Sequence, residues 1–247
     1  MKLSEIFSQL TTGELSMLSI GGAEQGVIQE SNHQAVLNHI NLGLTYIFHR
    51  FPLKEGRLKL VLYPDMVSYK LHSRFVDSNA ESTELIKYLV DEGSPFMDDL
   101  LKVQAVMTQN GDVVALNDNK DKYSCHTPST HVLTVPMAVT NQYPDLPDHL
   151  KTDYLDIVYR ASHPKLEMDF GYLDPEEVEV DLPYPYLEPL LYFVASRCYH
   201  PMSMSSEINQ GSSYAMKLEQ ACQRLELTNL AVDQGASNDR LIRNGWV

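Results

Sequence analysis

Cys125, His126 and His131 are donors of the kind that bind zinc. A tetrahedral site wants four ligands, usually with a close cysteine pair, and the chain offers no fourth beside them. His126 and His131 are therefore read as loop and strand-start residues. Ser162-His163 pairs a hydroxyl with an imidazole, but it precedes Pro164, and no Gly-x-Ser-x-Gly elbow is present to present a nucleophile. Asp169, Asp174, Glu176, Glu177 and Glu179 form an acidic run that lacks the twelve-residue calcium loop with its central glycine, which leaves a solvated face. The glycine-rich run Ser19–Gly26 lacks the Gly-Lys-Ser/Thr ending of a phosphate loop and reads as a connection. No nucleophile, base and orienting group converge, so no catalytic residue, no metal and no cofactor is expected.

Composition narrows the class further. A chain of 247 residues with 43% hydrophobic content can bury a real core. Its net charge of −14 argues against an outer surface that grips phosphate, since such binding rests on Lys and Arg displacing counterions. Cys125, Cys198 and Cys222 leave one thiol unpaired in any disulfide scheme and form no metal-type doublet, which favours a reducing compartment. The first residues carry no cationic region followed by an apolar run, and no segment reaches the ~20 apolar residues of a membrane span. A soluble protein made in the cytoplasm is expected, with no membrane partner.

The periodicity predicts the elements that would position these residues. Leu3, Ile6, Phe7 and Leu10 mark a short amphipathic helix with Ser4 as its N-cap. Val36, Ile40, Leu44, Ile47, Phe48 and Phe51 make one face of a helix over 31–51, halted by Pro52. After Pro52 the period changes to alternation. Strands are predicted at 58–63 and 67–71, turned by Pro64-Asp65. The acidic stretch 77–99 is read as a solvated helix around 81–92 and a short one near 96–101. Asn110-Gly111-Asp112 between two apolar runs is the strongest hairpin marker in the chain, pairing 102–107 with 113–116. Further strands follow through 125–135, at 154–160 and at 177–182.

The stretch 182–226 organises the rest. Pro183, Pro185 and Pro189 suit the start of a helix. Leu187, Leu190, Leu191, Phe193, Val194 and Ala195 then fall nearly all round it, so it must be covered on several sides, by its own domain, by a neighbouring subunit, or by both. A second helix carries Tyr214, Leu218, Ala221, Cys222 and Leu225 on one face. Tyr184, Tyr186, Tyr192 and Tyr199, with Tyr214, are either core or contacts to another copy, because tyrosine buries area while keeping a polar tip. Residues 233–247 are polar until Arg240, Leu241, Ile242, Arg243 and the single tryptophan, Trp246. That pattern fits a peptide that orders on a partner, and equally a tail folding back on its own domain.

The fold class expected is α+β. N- and C-terminal helices would form a helical bundle, with an inserted antiparallel β-sandwich or barrel-like module and an extended C-terminal tail. The boundaries are 1–53 for the first helices, 54–182 for the β-rich insertion, 183–226 for the helical hairpin and 227–247 for the tail.

Taken in order, Asn110-Gly111, Leu116-Asn117-Asp118, Thr127-Pro128, Val135-Pro136, Val158-Tyr159-Arg160-Ala161-Ser162-His163-Pro164-Lys165 and Leu182-Pro183 before a tyrosine-rich apolar helix resemble the head-to-tail adaptors of short-tailed bacteriophages with large genomes. The resemblance covers roughly residues 30–226 and rests on fold signatures, not catalytic ones. It implies a structural virion protein that forms a homo-oligomeric ring of twelve copies below the portal protein and continues the DNA channel. A tail tube or nozzle protein would bind beneath, and genomic double-stranded DNA would pass through without sequence-specific binding. The segment Arg240, Leu241, Ile242, Arg243 and Trp246 would dock on the portal, and Tyr184, Tyr186, Tyr192, Tyr199 and Tyr214 would line the subunit interface. Other classes stay open: another neck or tail component such as a nozzle or head-closure protein, and a hydrolase using His126, His131 or His163.

Overall fold

The computed structural model describes residues 1–18, 28–91, 93, 95–167, 174–199 and 205–228, the side chains of 205–209 excepted. Helices and antiparallel sheets are both present, an α+β composition. The chain divides into two units, Met1–Leu53 with Lys165–Val247, and Lys54–Pro164. No helix among the described residues is long and apolar enough to cross a membrane.

In the discontinuous first unit, α1 (Leu3–Thr12) buries Leu3, Ile6, Phe7 and Leu10, the face its 3–4 spacing dictates. Ser4 is not its cap. Lys2 holds the N-cap position without a side-chain bond, and the first free N–H groups of the helix go instead to a neighbouring strand of chain: Leu3 N–H to the Val178 carbonyl and Ser4 N–H to that of Pro175, both at 2.9 Å. Met1 and Val180 exchange two further bonds. These contacts explain two departures from the predicted boundaries. Residues 177–182 form no strand of a sheet, only a single bridge from Glu179 to Lys2, and they cluster with the helices, so the inserted unit ends at Pro164 and not at 182.

Helix α2 (Glu30–Arg50) buries Val36, Leu37, Ile40, Gly43, Leu44, Ile47 and Phe48, and Phe51 caps it before Pro52. In the second unit a four-residue turn of helix, α3 (Met137–Thr140), follows the strands' Pro136. Back in the first unit, a 3₁₀ turn at Tyr184–Tyr186 leads into α4 (Leu187–Tyr199), and α5 (Ser205–Leu227) follows. Helix α4 packs against α1, α2 and α5. Gly43 permits the α2–α4 approach: a Cβ there would lie 2.6 Å from Leu190 Cδ1 and 3.1 Å from Phe193 Cδ1.

In the second unit, β1 (Glu55–Val61), β2 (Ser68–Lys70), β3 (Leu89–Asp91), β4 (Leu100–Thr108), β5 (Val113–Val114), β6 (His126–Ser129), β7 (Val132–Thr134) and β8 (Tyr154–Ala161) form a five-stranded sheet, β3-β1-β8-β4-β5, and a three-stranded one, β2-β7-β6. Strict alternation along β8 turns Leu155, Ile157, Tyr159 and Ala161 inward. These share one core with Tyr69 and Leu133 of the smaller sheet. The Asn110-Gly111 turn joins β4 to β5, with Gly111 at φ 84° and its N–H on the Thr108 carbonyl at 2.9 Å.

Neither predicted helix between 77 and 101 forms. Residues 89–91 pair with β1, and Leu100 already belongs to β4. Upstream, side chains compete with the helical ladder. Asn79 Oδ1 accepts from Glu81 N–H, Ser82 Oγ from Glu84 N–H, and Lys87 Nζ donates to the Asn79 carbonyl at 2.6 Å, so the acidic loop closes on itself. At Asp98 a φ of 56° breaks any helix, and its carboxylate takes the N–H and hydroxyl of Ser73, each at 2.6 Å.

Candidate assembly surface

The five tyrosines singled out from the sequence separate by environment. Tyr184 projects from the 3₁₀ turn and is 70% exposed. Tyr186, two residues on, points the other way: it is 3% exposed, with its ring 5.0 Å from that of Phe51. Tyr199, also 3% exposed, is equally interior. These two are core residues in the described fold, which corrects their assignment to a subunit interface. The physical reason is that Phe51, just past α2, packs on Tyr186, while Tyr214 of α5 stacks on Tyr199 and the Glu14 carbonyl takes its hydroxyl.

Tyr192, Tyr199 and Tyr214 form a ladder between α4 and α5. The rings of Tyr199 and Tyr214 stack at 5.5 Å and 17°, and that of Tyr192 lies 6.1 Å from Tyr214. Both Tyr199 and Tyr214 donate their hydroxyls to one acceptor, the Glu14 carbonyl, at 3.0 and 3.2 Å. Tyr192 donates to Glu188 at 2.9 Å, and Arg224 reaches the same carboxylate at 3.3 Å. Lys217 Nζ sits 4.8 Å from the Tyr214 ring. Burial pushes the Tyr192 phenol up to about 12, helped by the Glu188 carboxylate, and pushes Tyr214 upward with the charge of Glu14 adding to it. The Tyr199 and Tyr214 hydroxyls fasten α4 and α5 to the turn after α1, while that of Tyr192 bonds within α4.

A second fastening lies at the far end of α2. Arg50 grips Glu219 with Nη1 at 2.6 Å and Nη2 at 2.8 Å, Glu226 with Nε at 2.7 Å, and the Tyr46 hydroxyl with Nη1 at 2.9 Å. This fork holds the Glu219 carboxyl down to about 2. Glu219 and Glu226 are seven residues apart, hence on one face of α5, which is legible in the sequence. Their partner 169 residues away is not.

The apolar surface of α4, which the sequence leaves to its own domain, to a neighbour or to both, is covered by its own chain. Leu187, Leu190, Leu191, Phe193, Val194 and Ala195 are each at most 8% exposed within the single chain. Three neighbouring helices cover what the sequence alone left open, so α4 does not require a neighbouring copy. Among the described residues of the helical unit, the large apolar side chains that face water are Met17, Leu42, Tyr184, Met216 and Leu227.

Cys125, His126, His131, Ser162 and His163 each have a defined structural setting. Cys125 is fully buried, paired through its backbone with Leu116, and burial alone pushes its thiol up to about 12. His126 begins β6, while His131 is exposed and its carbonyl accepts from Leu71 N–H at 2.8 Å. His163 is buried with Nδ1 on the Pro164 carbonyl. Ser162 gives its backbone N–H to the Asp99 carbonyl at 2.7 Å. Among the described residues no group of three or more His, Cys, Asp or Glu comes together as a metal site would require. Arg240, Leu241, Ile242, Arg243 and Trp246, the glycine-rich run 19–26 and Asp169 lie outside the described residues.

Comparison with models of known protein families finds no match, and comparison with curated proteins finds none.

Proposed function

We propose that this chain is a structural virion protein, a head-to-tail adaptor that forms a ring of twelve copies below a phage portal, extends the DNA channel and presents a platform to tail components. The observation that carries this reading is the way the chain is divided: helices from both ends build one unit, and a complete antiparallel β unit is inserted between them at Lys54–Pro164. The arrangement suits an assembly protein because the discontinuous unit can hold a ring position while the insertion meets a different partner. In finer terms, the helices act as a bundle that forms the ring body, and the two sheets as a sandwich-like module directed at the tail.

Contacts between copies fall on exposed side chains, not on the body of α4. Tyr184, Met216 and Leu227 are the candidates on the helical unit. A closed ring needs heterologous contacts, in which one face of each copy meets a different face of the next. The net charge of −14 serves the channel, since a lumen without a cationic stripe adds no phosphate contacts to hold moving DNA.

Electron microscopy and mass measurement of the purified chain with a portal test the reading. A complex of twelve copies capping the portal is the expected result. A chain that stays monomeric and never joins the portal rejects it.

A further inference from the structure

The acidic loop before β3 holds two aliphatic side chains in water. Leu85 is 100% exposed and Ile86 50%. Neither is there for want of order, because the loop is closed by the Lys87–Asn79 bond at 2.6 Å, by Ser82 Oγ on the Arg74 carbonyl, and by Arg74 Nε 3.9 Å from Glu84. Beside them lies a groove lined by Met66, Phe75, Leu85, Ile86 and Tyr88, together with Thr83 and Glu84. Its floor is firm: the rings of Phe75 and Tyr88 stack at 4.9 Å and 15°, and the Tyr88 hydroxyl is locked between the N–H and the carbonyl of Lys70. Fixed aliphatic groups beside a rigid aromatic floor are the makings of a docking surface, since leaving them in water has a standing cost that a partner would remove.

Charge says what that partner carries. The loop bears Asp77, Glu81 and Glu84 against Lys87 and Arg74, with Arg74 already on Glu84 and over the Phe75 ring, so the balance stays acidic and an occupant with aliphatic groups flanked by cations fits it. The chain itself contains such a segment at its other end, Arg240-Leu241-Ile242-Arg243 followed by Trp246: two aliphatic residues between two arginines, with an aromatic anchor beyond. Residues 229–239 precede Arg240 and span at most about 40 Å when fully extended.

We infer that the groove around Leu85 and Ile86 receives the Arg240–Trp246 segment of a neighbouring copy, in place of the portal contact that the resemblance implies for that segment. The inference deepens the ring reading, on which it rests, by naming a heterologous contact between copies: groove on one, segment on the other. In this contact Leu241 and Ile242 meet Leu85 and Ile86, Trp246 lies along the groove beside Met66, and the two arginines face the acidic loop at Glu81 and Glu84, the latter shared with Arg74. Such a contact propagates from copy to copy, and it closes only if the rotation between copies closes.

Trp246 is the only tryptophan, so its emission in the full-length chain reports the contact directly. Over a concentration series, emission is expected to move to shorter wavelength in step with rising mass. Leu85→Asp, at a fully exposed position, is expected to raise the midpoint concentration at least tenfold, and Glu81→Lys to raise it less, with part of the loss restored by Arg243→Glu. A blue-shifted emission independent of concentration places the segment on its own chain and overturns the inference. So does a shift that Leu85→Asp leaves unchanged, or an emission that stays that of a water-exposed indole. Assembly into rings with Trp246 unshifted removes this contact and keeps the ring; a chain that joins no other copy, even with portal present, removes the ring itself.

Discussion

Arg50, in the last turn of α2, holds both carboxylate oxygens of Glu219 on α5, at 2.6 and 2.8 Å, and completes its fork on Glu226. Two helices that lie far apart in the sequence are thereby pinned in one register. Because Glu219 is about half exposed, solvent screens the pair, and its worth is that of a good surface fork: Arg50→Ala is expected to lower stability by about 1–2 kcal/mol. Denaturant titration of the two proteins checks this.

The same pair makes stability depend on acid. Glu219 sits at about 2 in the folded chain, below the roughly 4.3 of an unfolded glutamate. Its contribution is therefore fully present above that unfolded value and is lost as pH falls towards the folded one. Glu219→Gln is expected to flatten the loss of melting temperature between about pH 5 and pH 3. An unchanged acid limb would show that other carboxylates control it.

Gly43 marks the closest approach of α2 to α4, with Leu190 on the other side. Gly43→Ala gains up to about 1 kcal/mol of helix propensity but overpacks a full core at a cost of about 1–3 kcal/mol. A net loss is expected, larger for Gly43→Val, which brings no comparable propensity. A melting temperature that rises in Gly43→Ala would mean that Leu190 and Phe193 yield easily.

Tyr184 and Tyr199 should respond in opposite ways. Tyr199→Phe removes a buried donor to Glu14 and is expected to cost about 1 kcal/mol of stability. Tyr184→Ser, at a 70% exposed side chain, is expected to leave stability within about 0.5 kcal/mol while weakening assembly with other copies. Equal destabilisation by both would remove Tyr184 from the proposed surface.

The three thiols provide a direct probe of packing. Burial pushes Cys125 up to about 12 and both Cys198 and Cys222 up to about 11, the last against the lowering charge of Arg50 and with Glu219 and Glu226 adding to the rise. A thiol reagent at pH 8 is expected to modify none of them rapidly in the folded chain and all of them in denaturant, because the thiolate is the reacting form. One stoichiometric, fast-reacting thiol in native protein would contradict this packing.

Local periodicity carried much of the architecture. The faces of α1, α2 and α5, the alternation of β1 and β8 and the Asn110-Gly111 hairpin follow from patterns of 3.6 and 2 that depend only on neighbours in sequence. Where side chains competed with the backbone, pattern misled: Asn79, Ser82 and Asp98 turned a stretch that reads as helix into loop and strand. Coverage was a different matter. The sequence marked α4 as apolar on almost every side, but whether its own chain or another would hide that surface depends on where α1, α2 and α5 come to rest, as does the sorting of Tyr186 and Tyr199 into the core and Tyr184 into water. The Arg50 fork likewise needed α2 and α5 brought together across 169 residues. The sequence determined the elements and their apolar faces because those are short-range properties; the tertiary structure decided which faces remain for partners, because burial is a relation between segments that the order of residues does not state.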